Sequence, residues 1–240
     1  MKNILVKSLF EIKDPNWSVK DRSAETDLYK KYVECHQISL GSFKKHLKGD
    51  WEFAFVSGQF DTIHQALHET FHKIRQLWLE HGPCNILYTD PDTVAVAPID
   101  IWGKYNDFMM FNYSDPKSFY TANSYNESFP HFFNAGVRYF PATMKEETWQ
   151  LGIDMVKNWD FTDYNTEQII LNKMLWSQGV KLEHALVPPL AYQAQWLPGV
   201  EVWRQDLWNG IHVNNCAILH VHSSRDIDVK LNFMKQLIRI

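Results

Sequence analysis

Apolar residues in this 240-residue chain occur in short unbroken runs and in three- and four-residue steps, and the two patterns alternate. Ile4-Leu5-Val6 opens a buried strand over residues 3–12, stopped by the turn formers Asp14-Pro15-Asn16. Residues 26–36 place Leu28, Tyr32 and Cys35 at helical spacing, and a loop containing Gly41 and Gly49 is expected to follow, then a strand at 52–56. The strongest helix is 61–81, where Ile63, Leu67, Phe71, Ile74 and Trp78 share one face and Gly82-Pro83 ends it. Residues 84–88 read as a short apolar strand, 94–97 as its extended continuation, and 99–103 as a helical turn. Strands at 108–111, 135–140 and 217–221, and helices at 145–159, 165–177 and 227–240, complete the regular pattern. The stretch 112–129, Pro188-Pro189 and Pro198-Gly199 mark irregular connections. Strands alternating with helices point to an α/β fold whose first half is doubly wound and whose second half is more mixed. No linker or internal repeat interrupts the chain, so one domain over 1–240 is expected.

Composition narrows the function. Apolar residues at 45% support a continuous core, which excludes a disordered tail. A net charge of -4 with scattered Lys and Arg argues against a nucleic-acid binder. Cys35, Cys84 and Cys216 are odd in number and far apart, unlike a disulfide framework or zinc motif, which points to a reducing, cytoplasmic setting. No run approaches the roughly 20 apolar residues of a membrane helix, and Lys7 and Glu11 interrupt the N-terminal apolar run.

The chemistry gathers at two places. Asp90-Pro91-Asp92 follows an apolar strand, and in open α/β sheets ligands collect at the carboxyl ends of strands. Two carboxylates one residue apart on extended backbone project to similar sides and can share a divalent cation. The plain alternative is turn punctuation, since Asp and Pro favour turns for reasons unrelated to metals. Late in the chain, His220 and His222 lie two apart on the 217–221 strand and its end, hence on one face. Either imidazole could ligate; the alternative is a buried, hydrogen-bonded histidine. Carboxylate oxygens with one imidazole suit Mn²⁺ or Mg²⁺, the nitrogen favouring Mn²⁺. The absence of G-x-x-x-x-G-K-[ST] and G-x-G-x-x-G speaks against a P-loop nucleotidase or Rossmann oxidoreductase.

Four segments in order resemble the GT-A glycosyltransferases, especially the clan of glycogenin and the bacterial lipopolysaccharide galactosyltransferases. They are Ile86-Leu87-Tyr88-Thr89-Asp90-Pro91-Asp92, Phe133-Asn134-Ala135-Gly136-Val137, Thr166-Glu167-Gln168-Ile169-Ile170-Leu171-Asn172 and Ile218-Leu219-His220-Val221-His222. The resemblance implies a Rossmann-like mixed sheet flanked by helices. It implies that Asp90 and Asp92 are the D-x-D carboxylates, Asp90 also touching the sugar or ribose, and that His220, or His222 in a different register, is the late metal ligand. Asn134, Ala135 and Gly136 match a segment beside the donor sugar; Glu167 and Gln168 match an acidic-Gln pair near the reacting carbon. Ile4, Leu5, Val6 and Lys7 would flank the nucleotide base and ribose. Ser223-Ser224-Arg225 departs from the family's Gly and Lys, leaving Arg225 as the substitute for the lysine that meets the diphosphate.

The implied activity is a metal-dependent hexosyltransferase that moves a sugar from a nucleotide-diphosphate donor, a UDP-sugar with retention, to a hydroxyl acceptor such as a glycan. Were inversion used instead, Glu167 or Asp163 would be the base. Trp196, Trp203 and Trp208 are candidates to stack on an acceptor. Two other readings stay open: a metal-dependent phosphodiester or nucleotide-sugar hydrolase, and a carbohydrate-binding module on an inactive transferase scaffold.

Overall fold

The computed structural model describes residues 1–13, 28–113, 129, 133–157, 166–181, 191–194, 217–221 and 227–239. Strand β1 (Asn3–Ile12) leads to helix α1 (Leu28–His46), then β2 (Glu52–Phe60), α2 (Ile63–Glu80), β3 (Asn85–Thr89) and β4 (Thr93–Ala95). Next come β5 (Met109–Tyr113), β6 (Phe133–Phe140), α3 (Glu146–Lys157), α4 (Thr166–Ser177), β7 (Ala191–Ala194), β8 (Ile218–Val221) and α5 (Ile227–Leu237). Among the described residues the eight strands form one sheet in the order β2-β1-β3-β6-β5-β7-β8-β4. β1 runs parallel to β2 and β3, whereas β6 is antiparallel to both β3 and β5, and β4 is antiparallel to β8. The parallel half and the mixed half are thus as the element pattern predicts.

Strand order and connection length together shape the sheet. β3 and β4 stand five places apart, about 24 Å in a flat sheet at 4.8 Å per strand. Only Asp90, Pro91 and Asp92 join them, and four residue steps span at most about 14 Å. The sheet therefore curls until its far edge, β8 and β4, returns to the carboxyl end of β3. β1 is buried from Ile4 to Leu9 and β3 along its whole length, so both faces of the central strands are covered, as in parallel sheets. On one face Lys7 meets Ser39 and Phe43 of α1; on the other Ser8 meets Tyr88.

Some boundaries differ from the sequence expectation. α1 continues through Gly41 to His46, where a loop is expected. Its buried positions include His36, Ser39 and Ser42, so the inward face carries polar residues and its apolar periodicity fades. The hydroxyls earn their burial locally: Ser39 takes a bond from Lys7, and Ser42 accepts from the Ala95 amide. β2 runs four residues past Val56, to Phe60. Residues 101–104 make a turn closed by Lys104 N–H to Ile101 O, with Gly103 at φ 72°, rather than a helical turn. Asn112 and Tyr113 belong to β5, and β7 lies where no strand is expected. α2 begins at a capping box, Thr62 with Gln65, and Gly82 at φ 68° follows its end. No helix among the described residues is long and apolar enough to cross a membrane, and Cys35 and Cys84 are buried free thiols. Cys216 lies outside the described residues.

Asn172 fixes α4 against β6. Its buried amide donates to the carbonyls of Phe133 and Gln168 at 2.8 and 2.7 Å and accepts from the Phe133 N–H at 2.9 Å. Replacing Asn172 with Ala removes the side chain that bonds the Phe133 N–H and C=O and the Gln168 C=O in the core. A destabilisation of roughly 2–3 kcal/mol is expected in urea unfolding, because each buried orphan group costs about 1–3 kcal/mol.

Candidate functional site

Asp90 and Asp92 occupy the curl between β3 and β4. The Asp90 N–H extends the β3–β6 ladder to Gly136 O at 2.9 Å, while the Asp90 carbonyl accepts from Thr93 Oγ1 at 2.7 Å and from the Thr93 N–H at 3.3 Å. Asp-Pro-Asp is therefore a turn in backbone terms and an acidic cluster in side-chain terms. β4 then pairs with β8 in a register that sets Thr93 opposite His220, and Val221 N–H donates to Asp92 O at 2.9 Å. His220 arrives beside both acids: its Nε2 lies 3.0 Å from Asp92 Oδ1 and 3.7 Å from Asp90 Oδ2.

One ligand atom from each of Asp90, Asp92 and His220 falls within 4.8 Å of the others, so the three could hold a metal ion. One donor pair already has the spacing a metal ion requires, and the other His220 contact, to Asp90, is longer at 3.7 Å. Neighbouring donors around a small octahedral cation bonded at about 2.1 Å are about 3 Å apart, close to the 3.0 Å between His220 and Asp92. Hard oxygens with one imidazole are also the donor chemistry of Mg²⁺ and Mn²⁺.

Gly136 makes this meeting possible. A Cβ there would fall 2.6 Å from His220 Cε1 and Nδ1 and 2.9 Å from Asp90 Oδ2. The space of the missing side chain on β6 is filled by the imidazole from β8 and the carboxylate of Asp90, just past β3.

Asp92 is almost wholly buried, yet Lys230 Nζ of α5 lies 2.7 Å from its Oδ2. Burial alone would raise its carboxyl; the adjacent Lys230 and His220 outweigh that and hold it well below the usual carboxylate range. Because the folded value lies below the unfolded one, this pairing stabilises the fold above ordinary carboxylate pH and is lost only as pH falls through the lower value. Lys7 holds the same turn from beneath, with Nζ 2.6 Å from Ser39 Oγ, 2.5 Å from Thr89 Oγ1 and 3.4 Å from Asp90 O. Burial pushes its pKa down to about 7, against the opposing pull of Asp90 and Asp92.

A cavity of about 240 Å³ opens beside the acids, lined among others by Asp90, Asp92, Asn134, Gly136, Glu167 and Gln168. Asn134 Nδ2 donates to Gln168 Oε1 at 3.0 Å, and its own Oδ1 accepts from the Gly136 N–H at 2.8 Å. Glu167 forms a buried ion pair with Arg138, Oε1 to Nη1 at 2.6 Å, and the Arg138 guanidinium also sits 4.1 Å over the Tyr88 ring. Burial raises the Glu167 carboxyl and Arg138 only partly offsets it.

Ile4, Leu5, Val6 and Lys7 lie within β1 and not at its end, and they are buried away from the cavity. The strand continues to Ile12, so Ser8, Leu9, Phe10 and Ile12 are the β1 residues that face it. Asp163, His222, Arg225, Trp196, Trp203 and Trp208 lie outside the described residues. Two buried cations, Arg138 and Lys230, escaped the sequence reading, and the third, Lys7, is read there only as a flank of the nucleotide; each has a visible signal. Lys7 follows the apolar run Ile4-Leu5-Val6, Arg138 stands between Val137 and Tyr139, and Lys230 sits on the inward stripe of α5 with Ile227, Leu231 and Met234.

Gly136→Ala tests the packing at the centre of the site. The variant is expected to fold but, if the cluster holds a divalent cation, to bind it about tenfold or more weakly in calorimetric titration, the scale set by misplacing a ligand's support. Unchanged affinity would mean that the His220 ring can move aside without leaving the cluster.

No protein-family model matches the chain, and no curated protein matches it in sequence. Solved structures do match. A glycosyltransferase involved in the glycosylation of the major capsid of PBCV-1 aligns at 11% identity over 98% of this chain and 100% of its own, with a TM-score of 0.52. The bifunctional glycosyltransferase WbbM aligns at 12% identity and a TM-score of 0.56 over 99% of this chain, which spans about half of it, 51%. These likenesses establish the fold: a mixed sheet with flanking helices, the GT-A architecture of glycosyltransferases.

Proposed function

We propose that the protein is a metal-dependent glycosyltransferase that moves a hexosyl group from a nucleotide-diphosphate donor, a UDP-sugar, to a hydroxyl acceptor such as a glycan, with retention, within one domain spanning 1–240. The observation that carries this reading is the convergence of Asp90, Asp92 and His220, residues up to 130 apart in sequence, beside a cavity that the two acids line, in a fold shared with glycosyltransferases. A divalent cation at this cluster, Mn²⁺ with Mg²⁺ as the alternative, supplies Lewis-acid stabilisation of the charge that develops on a departing diphosphate.

The chain's own groups do the rest. Asn134, Ala135 and Gly136 form the wall against which the donor sugar rests, with Asn134 oriented by Gln168. Glu167 presents a carboxylate near the reacting carbon, and Arg138 keeps that carboxylate from turning away. Ser8 to Ile12, at the cavity end of β1, are better placed for the nucleotide than Ile4 to Lys7. Positioning and preorganised charge supply the acceleration, and in a same-face displacement with retention the acceptor's proton passes to the departing diphosphate oxygen, so that Glu167 or Asp163 need not take it. Arg225 and His222 are assigned to the diphosphate side by resemblance alone. The free thiols of Cys35 and Cys84 agree with a cytoplasmic location.

The test is nucleoside diphosphate release from a panel of nucleotide sugars, with Mn²⁺, with Mg²⁺ and with chelator. Release from a UDP-hexose with added metal, abolished by chelator and lowered at least about a hundredfold in Asp92→Asn, is the expected result. Absence of metal-dependent release and of donor binding across the panel overturns the reading. Sugar phosphate as product would identify a hydrolase instead.

A further inference from the structure

α5 delivers a positive charge to the metal cluster from outside the cavity. Its register on α1 is set by two ion pairs, Lys31 with Asp228 at 2.7 Å and Glu34 with Lys235 at 2.6 Å. Between them Lys230 reaches inward past the Tyr32 ring, its Nζ 5.5 Å from the ring centroid, and ends 2.7 Å from Asp92 Oδ2. Both partners are buried, Lys230 at 5% and Asp92 at 7% exposure, so solvent does little to screen the pair. The two oxygens of Asp92 are divided: Oδ1 faces His220 and Oδ2 is held by the ammonium.

That division has an electrostatic consequence. Of the two carboxylates in the cluster, Asp92 is paired in contact with Lys230, while Asp90, with a side chain 29% exposed, has no ion-pair partner among the described residues other than His220. With Lys230 against Asp92 and Lys7 beneath the turn, a divalent cation entering this cluster meets less negative charge than two unpaired acids would offer. Favourable binding then needs anionic oxygens from elsewhere, and the diphosphate of a donor supplies them at the same rim.

We propose that Lys230 is a positioning residue that holds Asp92 to a single metal-facing oxygen and offsets its charge, so that the cation binds tightly only together with a nucleoside diphosphate. The proposal rests on the glycosyltransferase reading and adds to it an order of assembly specific to this chain. Lys230 does not line the cavity; it acts through Asp92.

Mn²⁺ binding to the intact protein, measured by calorimetry and by the electron paramagnetic resonance of free Mn²⁺ with and without UDP, tests it. Wild type is expected to bind Mn²⁺ weakly alone and at least about tenfold more tightly with UDP. Lys230→Gln keeps a hydrogen bond to Oδ2 but removes the charge; it should bind Mn²⁺ alone about tenfold more tightly than wild type, with a smaller effect of UDP. Lys230→Arg should behave as wild type. Equal Mn²⁺ affinity in wild type with and without UDP overturns the proposal without recourse to any variant. Unchanged or weaker binding in a folded Lys230→Gln, or a Lys230→Arg that behaves like Gln, overturns it as well, while leaving the metal site intact. If Mn²⁺ binds nowhere under any condition, the metal reading falls and this proposal with it.

Discussion

The three residues between β3 and β4 govern this molecule. A link too short to cross a flat sheet forces the last-formed edge back over the carboxyl end of β3. Every other feature of the site follows from that curl. It brings β8 across β6, it requires a residue without a side chain at the crossing, and it places an imidazole from late in the chain against acids from its first half. Pro91 suits the bend because its fixed φ removes one freedom from a turn that has to be made in one way.

Around the curl the core is unusually ionic. Lys7, Arg138 and Lys230 are all buried, and each is met: Lys7 by the hydroxyls of Ser39 and Thr89, Arg138 by Glu167 and the Tyr88 ring, Lys230 by Asp92. Replacing such pairs with apolar residues of similar volume is often neutral for stability, whereas removing one partner costs about 3–5 kcal/mol. Charges of this kind are weak contributors to fold stability, which makes their concentration around one cavity more readily understood as preorganisation of that cavity. Here they fix the orientation of Asp92 and Glu167 and the backbone of Asp90.

How much of this was legible in the sequence depended on whether the signal was local. The strands with unbroken apolar runs and the amphipathic α2 follow from spacing alone. Asp90 and Asp92 stand out because they end such a run, and His220 because it is polar inside another. α1 beyond His36 did not, since Ser39 and Ser42 face inward to bind groups on distant strands and so imitate a solvent-facing pattern. β7 was missed because four residues, Ala191 to Ala194, carry too little periodicity to read without their neighbours β5 and β8. The partnership of Lys230 with Asp92 spans 138 residues, and only the packing of α5 on α1 fixes it. Family resemblance pointed to four motifs, but how far β1 runs past Lys7 is not in them.

The separation of the cluster along the chain also governs its timing. At about 5–20 residues per second, a ribosome takes roughly 6–25 seconds to pass from Asp92 to His220, 128 residues later. During that interval β1, β2 and β3 have all been made, yet Asp92 has neither the imidazole nor the ammonium that will hold it. A nascent chain thus carries its acids without the means to organise them, and any activity that needs the cluster begins only when the last strand and helix close over the first half.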